Sequence, residues 1–306
     1  MKRTLLMTGG TVLIVSLCMA TGWAQMNQTP APSTSPTPAP ATQGPSGQSP
    51  AGQAPAAGQP AAPAVPPVDK AEEAAYLAFF NAHGQDPTKQ IALGEDFIVK
   101  FPASRYLPSV YSALALDYLS SGDSGKMMAD AQKAIDLDPD NVDALALTVW
   151  ATARTVNPNM PGAADTYLKV ENYAHHAITL VSTMTKPVSM DDAQFTAAKN
   201  NDLSMCYSGI GLIHFKEGKY DQSVSELTQA VQLADSPDPV DFFILGHADE
   251  AVNRFQDAMD AFSKCNEAGP MVDRCNAGLA DAKAKALTAP PQAPAPAMAP
   301  APAPKP

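Results

Sequence analysis

Two stretches of the sequence repeat one pattern: residues 207–230 read YSGIGLIHFKEGKYDQSVSELTQA, and residues 242–265 read FFILGHADEAVNRFQDAMDAFSKC. An aromatic residue, a large aliphatic residue directly before glycine, and a second aromatic residue return in the same order. Gly211 corresponds to Gly246, which sets the shift between the stretches at 35 residues. A fixed period of this length is typical of repeat proteins, in which each unit is one supersecondary element. The apolar residues follow helical spacing, so each unit is predicted to be a pair of helices.

These positions resemble the tetratricopeptide repeat, a helix-turn-helix unit of about 34 residues. In that family an aromatic residue and a Leu-Gly pair mark the first helix, and a glycine opens the turn. A small residue and an aromatic residue mark the second helix, and a proline ends the unit; Ala258, Phe262 and Pro270 occupy these places. The small residues let the two helices approach closely. No unit can bury its apolar face alone, so the units are expected to stack.

Further units lie upstream. Tyr111, Leu114 and Ala115 occupy the expected places in a third match, whose end, residues 134–141, reads AIDLDPDN. A fourth unit, starting at Val142, is irregular, because the proline-rich residues 157–162 imply a long loop between its helices. The opening pair lacks most of the motif, and the helix after residue 271 is predicted to cap the array.

The predicted fold is all-α: a right-handed superhelical solenoid of tetratricopeptide-like helix-turn-helix pairs with a C-terminal capping helix. The predicted organisation is a signal peptide over 1–24, a disordered Pro/Ala-rich linker over 25–68, the repeat domain over 69–287, and a disordered Pro/Ala tail over 288–306. The repeats are placed near 69–104, 108–141, 142–187, 204–237 and 239–272, with the cap over 273–287.

The N-terminal residues predict export. Lys2 and Arg3 precede an apolar stretch that is too short to span a bilayer comfortably, and residues 22–24 read GWA, which suits signal peptidase. Cleavage is expected after Ala24, with Ala20 as the alternative. Lipidation of Cys18 is disfavoured, since the bulky Leu17 precedes it. The predicted location is the periplasm or cell envelope, with secretion as a further option, and the mature chain is expected to have no transmembrane segment.

Charge and the motifs found in the sequence limit the classes of molecule that the chain is expected to bind. The net charge of −11 makes nucleic acid an unfavourable partner, because phosphate backbones would be repelled. No zinc-protease run, nucleophile elbow or phosphate-binding loop is found in the sequence. The chain is therefore predicted to be no enzyme, to need no cofactor or metal, and to bind another protein or peptide. The sequence leaves the oligomeric state open.

Two cysteines are expected to pair. Cys265 lies at a packing position on the last full helix, and Cys275 begins the capping helix after a turn. In an exported chain a disulfide between them would pin the cap, contributing about 2–3 kcal/mol on the chain-entropy model. The alternative is two unpaired buried thiols. Cys206 is interpreted as a small buried residue.

The resemblance also implies a binding surface, because the first helices of such repeats line a concave groove. By analogy with the family, positions 2, 5, 9, 12 and 13 of each unit point into it. The selected residues are Ser112, Leu116, Leu119, Trp150, Arg154, Ser208, Leu212, Phe215, Lys216, Phe243, His247 and Glu250. This mixture suits an amphipathic helix or an extended apolar peptide. The alternative is that several of these side chains belong to the core between the helices.

The predicted function is therefore an exported, non-catalytic scaffold that binds protein through the concave groove. One alternative is an outer-membrane biogenesis or envelope-organisation factor. It rests on residues 101–106, FPASRY, which are similar to repeat endings in bacterial envelope proteins. The other alternative is an accessory subunit of an exported enzyme.

Overall fold

The computed structural model describes residues 69–188, 190–266 and 271–288, and this part of the chain contains eleven helices and no strand. The helices are α1 (Lys70–Ala82), α2 (Pro87–Lys100), α3 (Leu107–Ser121), α4 (Ser124–Leu137), α5 (Val142–Thr155), α6 (Ala163–Thr183), α7 (Asp192–Lys216), α8 (Tyr220–Leu233), α9 (Pro239–Ala251), α10 (Phe255–Asn266) and α11 (Val272–Thr288). The predicted signal peptide, the linker, and the tail beyond residue 288 lie outside the described residues.

Local sequence signals fix where the helices begin and end. At the start of α2, the Asp86 side chain accepts a hydrogen bond from the backbone N–H of Lys89, and Pro87 is the first helical residue. Asp191 and Gln194 form a reciprocal capping box at the start of α7. After α7, Gly218 adopts a φ of +77°, a conformation that favours glycine and turns the chain into α8.

The helices stack as five pairs, α1/α2 to α9/α10, followed by the cap α11. First helices of neighbouring pairs contact one another in the succession α3, α5, α7, α9 and α11. Each second helix contacts the first helix of its own pair and that of the next pair. In a curved stack, neighbouring elements approach most closely on the inside. We therefore call α3, α5, α7 and α9 the inner layer, and α2, α4, α6, α8 and α10 the outer layer. The predicted all-α solenoid is confirmed.

Small residues allow the helices of a pair to touch. A Cβ placed on Gly211 of α7 would lie 2.7 Å from Leu227 Cγ of α8. In the same pair the Ser223 hydroxyl is buried and donates to the carbonyl of Gly211, over 2.8 Å. In the next pair, a Cβ on Gly246 would lie 2.7 Å from the ring of Phe262. The small residues of the repeat motif thus serve to bring the two helices of a pair into close contact, as expected from the sequence.

The irregular third pair joins its neighbour by an unusually close contact. A Cβ on Gly209 of α7 would lie 2.5 Å from Val149 of α5 and 3.0 Å from that residue's carbonyl oxygen. The loop before α6 covers residues 156–162, and α6 and α7 are longer than the other helices. None of the helices in the described segments combines the length and apolar character that crossing a membrane requires.

Candidate functional site

The twelve predicted groove residues lie on the inner layer, and none of them is fully exposed. Four are buried, namely Ser112, Ser208, Leu212 and Glu250. The remaining eight, on α3, α5, α7 and α9, are half-buried. Four of these side chains are therefore packed inside the fold, and the other eight keep part of their surface open to solvent. Their role in binding stays a prediction.

The polar members centre on Arg154, whose side chain is 15% exposed. Its Nη2 lies 2.9 Å from Asp238 Oδ2, 2.9 Å from Asp241 Oδ1 and 3.0 Å from Ser208 Oγ. Its guanidinium also stacks on the ring of Trp150, 4.2 Å from the centroid. We call Arg154, Ser208, Asp238 and Asp241 the arginine cluster. It links α5, α7 and α9, so three successive first helices are held in one arrangement.

Helix ends explain why these charges meet. Arg154 lies in the last turn of α5, while Asp238 caps α9 and Asp241 follows in its first turn. Cations favour helix C-termini and anions favour N-termini, so both ends are stabilised by the pairing. Burial raises the pKa of Asp241 to about 6, although Arg154 and the Ser208 hydroxyl act in the opposite direction.

Lys216 is engaged within the fold as well. Its Nζ donates to the carbonyl oxygens of Ala153 and Val156, over 2.6 and 2.7 Å, and so caps the end of α5. Burial lowers the pKa of this lysine, and the nearby Arg154 lowers it further. The cationic groups predicted for the groove are therefore bound to groups of the chain itself.

The apolar members remain as a row of half-buried side chains. They are Leu116 and Leu119 on α3, Trp150 on α5, Phe215 on α7 and Phe243 on α9. Each packs at the edge of a hydrophobic core cluster and keeps part of its surface open to solvent. We call this set the apolar row.

The capping helix closes the C-terminal end of the inner layer. Lys285 of α11 places its Nζ 3.5 Å from Glu250 Oε1, and Glu250 Oε2 lies 3.1 Å from His247 Nδ1. The His247 ring also packs edge-on against Phe243 and Phe262. His247 and Glu250 are therefore occupied by contacts within the fold, and Phe243 is the last member of the apolar row.

One group of side chains in the described segments could hold a metal ion: Glu171, His214 and Glu217, with ligand atoms within 4.8 Å of one another. They come from α6, from α7 and from the residue after α7. The hydrogen bond to Glu226 raises the pKa of His214, while burial of the ring acts in the opposite direction. The sequence did not indicate this group, because Glu171 lies on a different helix from His214 and far from it along the chain.

The cysteines lie where the sequence placed them. Cys265 of α10 and Cys275 of α11 are both buried, and their Cα atoms lie 5.8 Å apart, a separation that suits a disulfide. Cys206 is a buried free thiol. Formation of the bridge in the protein stays a prediction, which thiol counting would test.

Sequence reasoning missed the acidic half of the arginine cluster. Asp238 precedes Pro239 and α9, a combination that signals a helix start. That signal could have identified Asp238 as a capping residue. Its contact with Arg154 depends on how α9 lies against α5 across α7, which is a tertiary property.

The chain is similar to one known family and to several solved structures. The family model described as "Tetratricopeptide repeat" matches residues 108–141 and 206–237. A thermophilic TPR protein of Thermus thermophilus, TTC0263, is 15% identical with a TM-score of 0.43, covering 70% of this chain and 99% of that one. PilW, described as a widely conserved type IV pilus biogenesis factor, is 16% identical with a TM-score of 0.45, covering 72% and 91%. No curated protein matches the sequence significantly.

Proposed function

We propose that this chain, a tetratricopeptide repeat protein, is a non-catalytic scaffold. In this role it holds a segment of another protein against its inner layer. Stacked helix pairs create extended concave surfaces, and proteins of this architecture use them to bind other proteins. The segment proposed here is an apolar peptide, either extended or an amphipathic helix.

The apolar row carries this proposal. Its aromatic members, Trp150, Phe215 and Phe243, come from three successive first helices and keep part of their surface open. Aromatic residues of this kind dominate binding energies at protein interfaces. Because they repeat from one helix to the next, they present apolar contacts at intervals along the inner layer. A peptide with apolar side chains spaced along its length would complement them.

The polar side chains support a structural rather than catalytic role for the surface. Arg154 and Ser208 donate hydrogen bonds to Asp241, and Lys216 donates to backbone carbonyls at the end of α5. A general base or nucleophile must be free to reach a substrate. Here these groups hold the first helices in place, and the partner's affinity is expected to come from apolar contacts.

The proposed place of action is the cell envelope of a bacterium. The support is the sequence of residues 1–24, with its basic start, apolar stretch and small residues before the predicted cleavage point. Fractionation of cells that produce the full chain, followed by mass spectrometry of the N-terminus, tests this assignment. The expected product begins at Gln25 and is recovered outside the cytoplasm; an intact N-terminus in the cytoplasmic fraction would overturn it.

Site-specific photo-crosslinking tests the binding role. A photoreactive phenylalanine analogue replaces Phe243 on the inner layer or, as the control, Leu168 on α6 of the outer layer, which is 58% exposed. A partner crosslinked at 243 and not at 168 is the expected result. Equal labelling at both places, or none at 243, would contradict the proposal. Identification of the crosslinked peptide would also separate an envelope-assembly partner from an exported enzyme.

A further inference from the structure

A second set of charged side chains lies where α6, α7 and α8 meet. None of these residues belongs to the surface proposed for peptide binding. His214 is at its centre and is buried, with the side chain only 10% exposed. Glu171 approaches it from α6 and Glu226 from α8, while Glu217 directly follows α7. Three acidic groups thus surround one imidazole near the surface.

Both ring nitrogens of His214 face carboxylates. Nδ1 lies 2.6 Å from Glu226 Oε2, and Nε2 lies 3.2 Å from Glu171 Oε1. A histidine that binds a metal through one nitrogen almost always donates its other N–H to a carboxylate, a carbonyl or water. Glu226 already provides that partner at Nδ1, so the ring is oriented with Nε2 toward Glu171.

The distances suit a small divalent ion. Bonds of about 2.0–2.2 Å to zinc in a tetrahedral site place neighbouring ligand atoms about 3.3–3.6 Å apart. The 3.2 Å between His214 Nε2 and Glu171 Oε1 is close to this value. Glu217 completes the set within 4.8 Å, and its side chain, which is 27% exposed at the surface, can move the remaining distance.

We propose that Glu171, His214 and Glu217 bind a divalent transition-metal ion, with Glu226 orienting the imidazole. A mixed set of one imidazole nitrogen and two carboxylate oxygens suits zinc or manganese better than a thiolate-preferring ion. Three protein ligands leave room for water in the fourth position of a tetrahedral ion. The ion would join α6 to α7 at the irregular third pair.

Lys219 is the internal competitor of the ion. Its Nζ lies 2.8 Å from Glu217 Oε2 and 3.9 Å from Glu171 Oε1, so its ammonium partly neutralises the same carboxylates. Its side chain is 45% exposed and can turn toward solvent. Removing this charge should strengthen metal binding, because an ammonium beside the ligands repels a divalent cation. A set of groups serving only as ion pairs would bind no metal after that change.

The test is isothermal titration calorimetry of the full chain, produced without a polyhistidine tag. Zinc chloride and manganese chloride are titrated in separate experiments. One ion per chain is expected for the wild type, and a rise in the melting temperature should accompany saturation. Glu226→Gln should weaken binding about 10- to 100-fold, as loss of a histidine's orienting partner does. Glu217→Gln should weaken it at least as much, and Lys219→Met should strengthen it roughly five- to tenfold.

Two controls separate the site from adventitious binding. His214→Ala should abolish the specific isotherm, whereas His176→Ala should leave it unchanged, because His176 lies on α6 beside Asp140 and outside the cluster. Glu217 is exposed, so its variant stays informative if His214→Ala fails to fold. Absence of stoichiometric binding to the wild type would overturn the proposal, as would binding that survives both Glu217→Gln and Glu226→Gln.

Discussion

At the scale of single residues, two features stand out in the packing of the helices: a glycine at a close contact and a buried carboxyl group. Gly211 is the clearest case, because the backbone of α7 lies where a side chain would meet α8. The opposite case is Asp202 on α7, a carboxyl that is buried and has one oxygen without a hydrogen-bond partner among the described residues. Each of these residues suggests a measurement.

Gly211→Ala should lower the free energy of unfolding. The new methyl group would lie 2.7 Å from Leu227 Cγ and 3.2 Å from that residue's backbone nitrogen, so α7 and α8 must move apart. Overpacking of this kind costs about 1–3 kcal/mol. Urea unfolding measures it, with Gly125→Ala as the matched control. Gly125 is exposed on α4 with no contact closer than 3.6 Å, and alanine there should be neutral or stabilising by up to about 1 kcal/mol. Equal stability of both variants would contradict this interpretation.

Asp202 and Asp143 form a hydrogen-bonded carboxyl pair between α7 and α5. Burial raises the pKa of Asp202 well above its usual value, and the charge of Asp143 raises it further. Burial also raises the pKa of Asp143, although the hydrogen bond from Asp202 opposes this shift. The folded state thus binds more protons than the unfolded state. The contribution of these two carboxyl groups to stability is fully present below their unfolded-state pKa, near 4. It is lost as the pH rises through their folded-state pKa values.

Asp202→Asn should therefore raise the unfolding free energy at pH 8 and flatten its decrease between pH 4 and 8. The amide is neutral at every pH and can donate to Asp143. The effect should amount to about 1.4 kcal/mol for each unit of pKa difference removed. Urea unfolding at several pH values measures it, and Asp136→Asn, at an exposed carboxyl, is the control. An unchanged slope in the Asp202 variant would show that the raised pKa values of this pair do not cause the pH dependence.

Sequence and structure agree best at this scale where a residue's role is local. Gly211 and Gly218 act within one helix pair, so the spacing of the repeat motif predicts their places. Asp202 shows the limit of this approach. Its carboxyl is perturbed by Asp143 on another helix, and no pattern along the chain connects the two.

At the scale of helices, side-chain bridges decide how neighbouring elements lie against one another. The arginine cluster bridges α5, α7 and α9, and the predicted Cys265–Cys275 disulfide would bridge α10 and α11. Packing of apolar faces has little directional preference. Bonds with fixed geometry, such as these, add the directional constraint.

Arg154→Met should destabilise the array by about 3–5 kcal/mol, because it leaves the buried Asp241 without its cation. Adding Asp241→Asn to this variant should recover part of the loss, which a double-mutant cycle measures. The control is Lys100→Met, which removes an exposed pair with Asp96 and should cost under about 1 kcal/mol. Similar losses at both positions would show that the arginine cluster has no special role.

The disulfide prediction concerns the last two helices. A chain starting at residue 25 has three cysteines, and one free thiol, from Cys206, should remain after denaturation without reductant. Cys275→Ser should lower the unfolding free energy by about 2–3 kcal/mol under oxidising conditions and have less effect under reducing ones. A count of three free thiols would exclude the bridge.

At the scale of the whole molecule, the described units pack mainly against their immediate neighbours, and Arg154 reaches one unit further to α9. The proposed binding surface is assembled from several units. The period and the motif predicted this arrangement, since they report which faces each unit must bury. The members of the apolar row were selected by their positions in the repeat, and their role in binding stays a prediction. The sequence could not show that Arg154, Lys216 and His247 would be bound to groups of the chain itself, because the partners of Arg154 and Lys216 come from other helices and the His247 ring packs against α10.

Trp150→Ala and Phe243→Ala should each weaken binding of the peptide identified by crosslinking, by about 2 kcal/mol or more if they anchor it. Leu168→Ala on the outer layer is the control and should bind as the wild type does. Fluorescence anisotropy of the labelled peptide measures the affinities, and circular dichroism confirms that each variant is folded. Unchanged affinity in both aromatic variants would remove the inner layer from the binding site.

The arginine cluster has a consequence for recognition. A guanidinium bonded to groups on neighbouring helices leaves little freedom for their spacing to adapt to an incoming peptide. Preorganised surfaces lose little conformational entropy on association, so more of the contact energy is retained as affinity. They also discriminate by shape, because a mismatched ligand cannot induce a better fit. The middle of this solenoid should therefore act as a rigid template, to which the bound segment does most of the adapting.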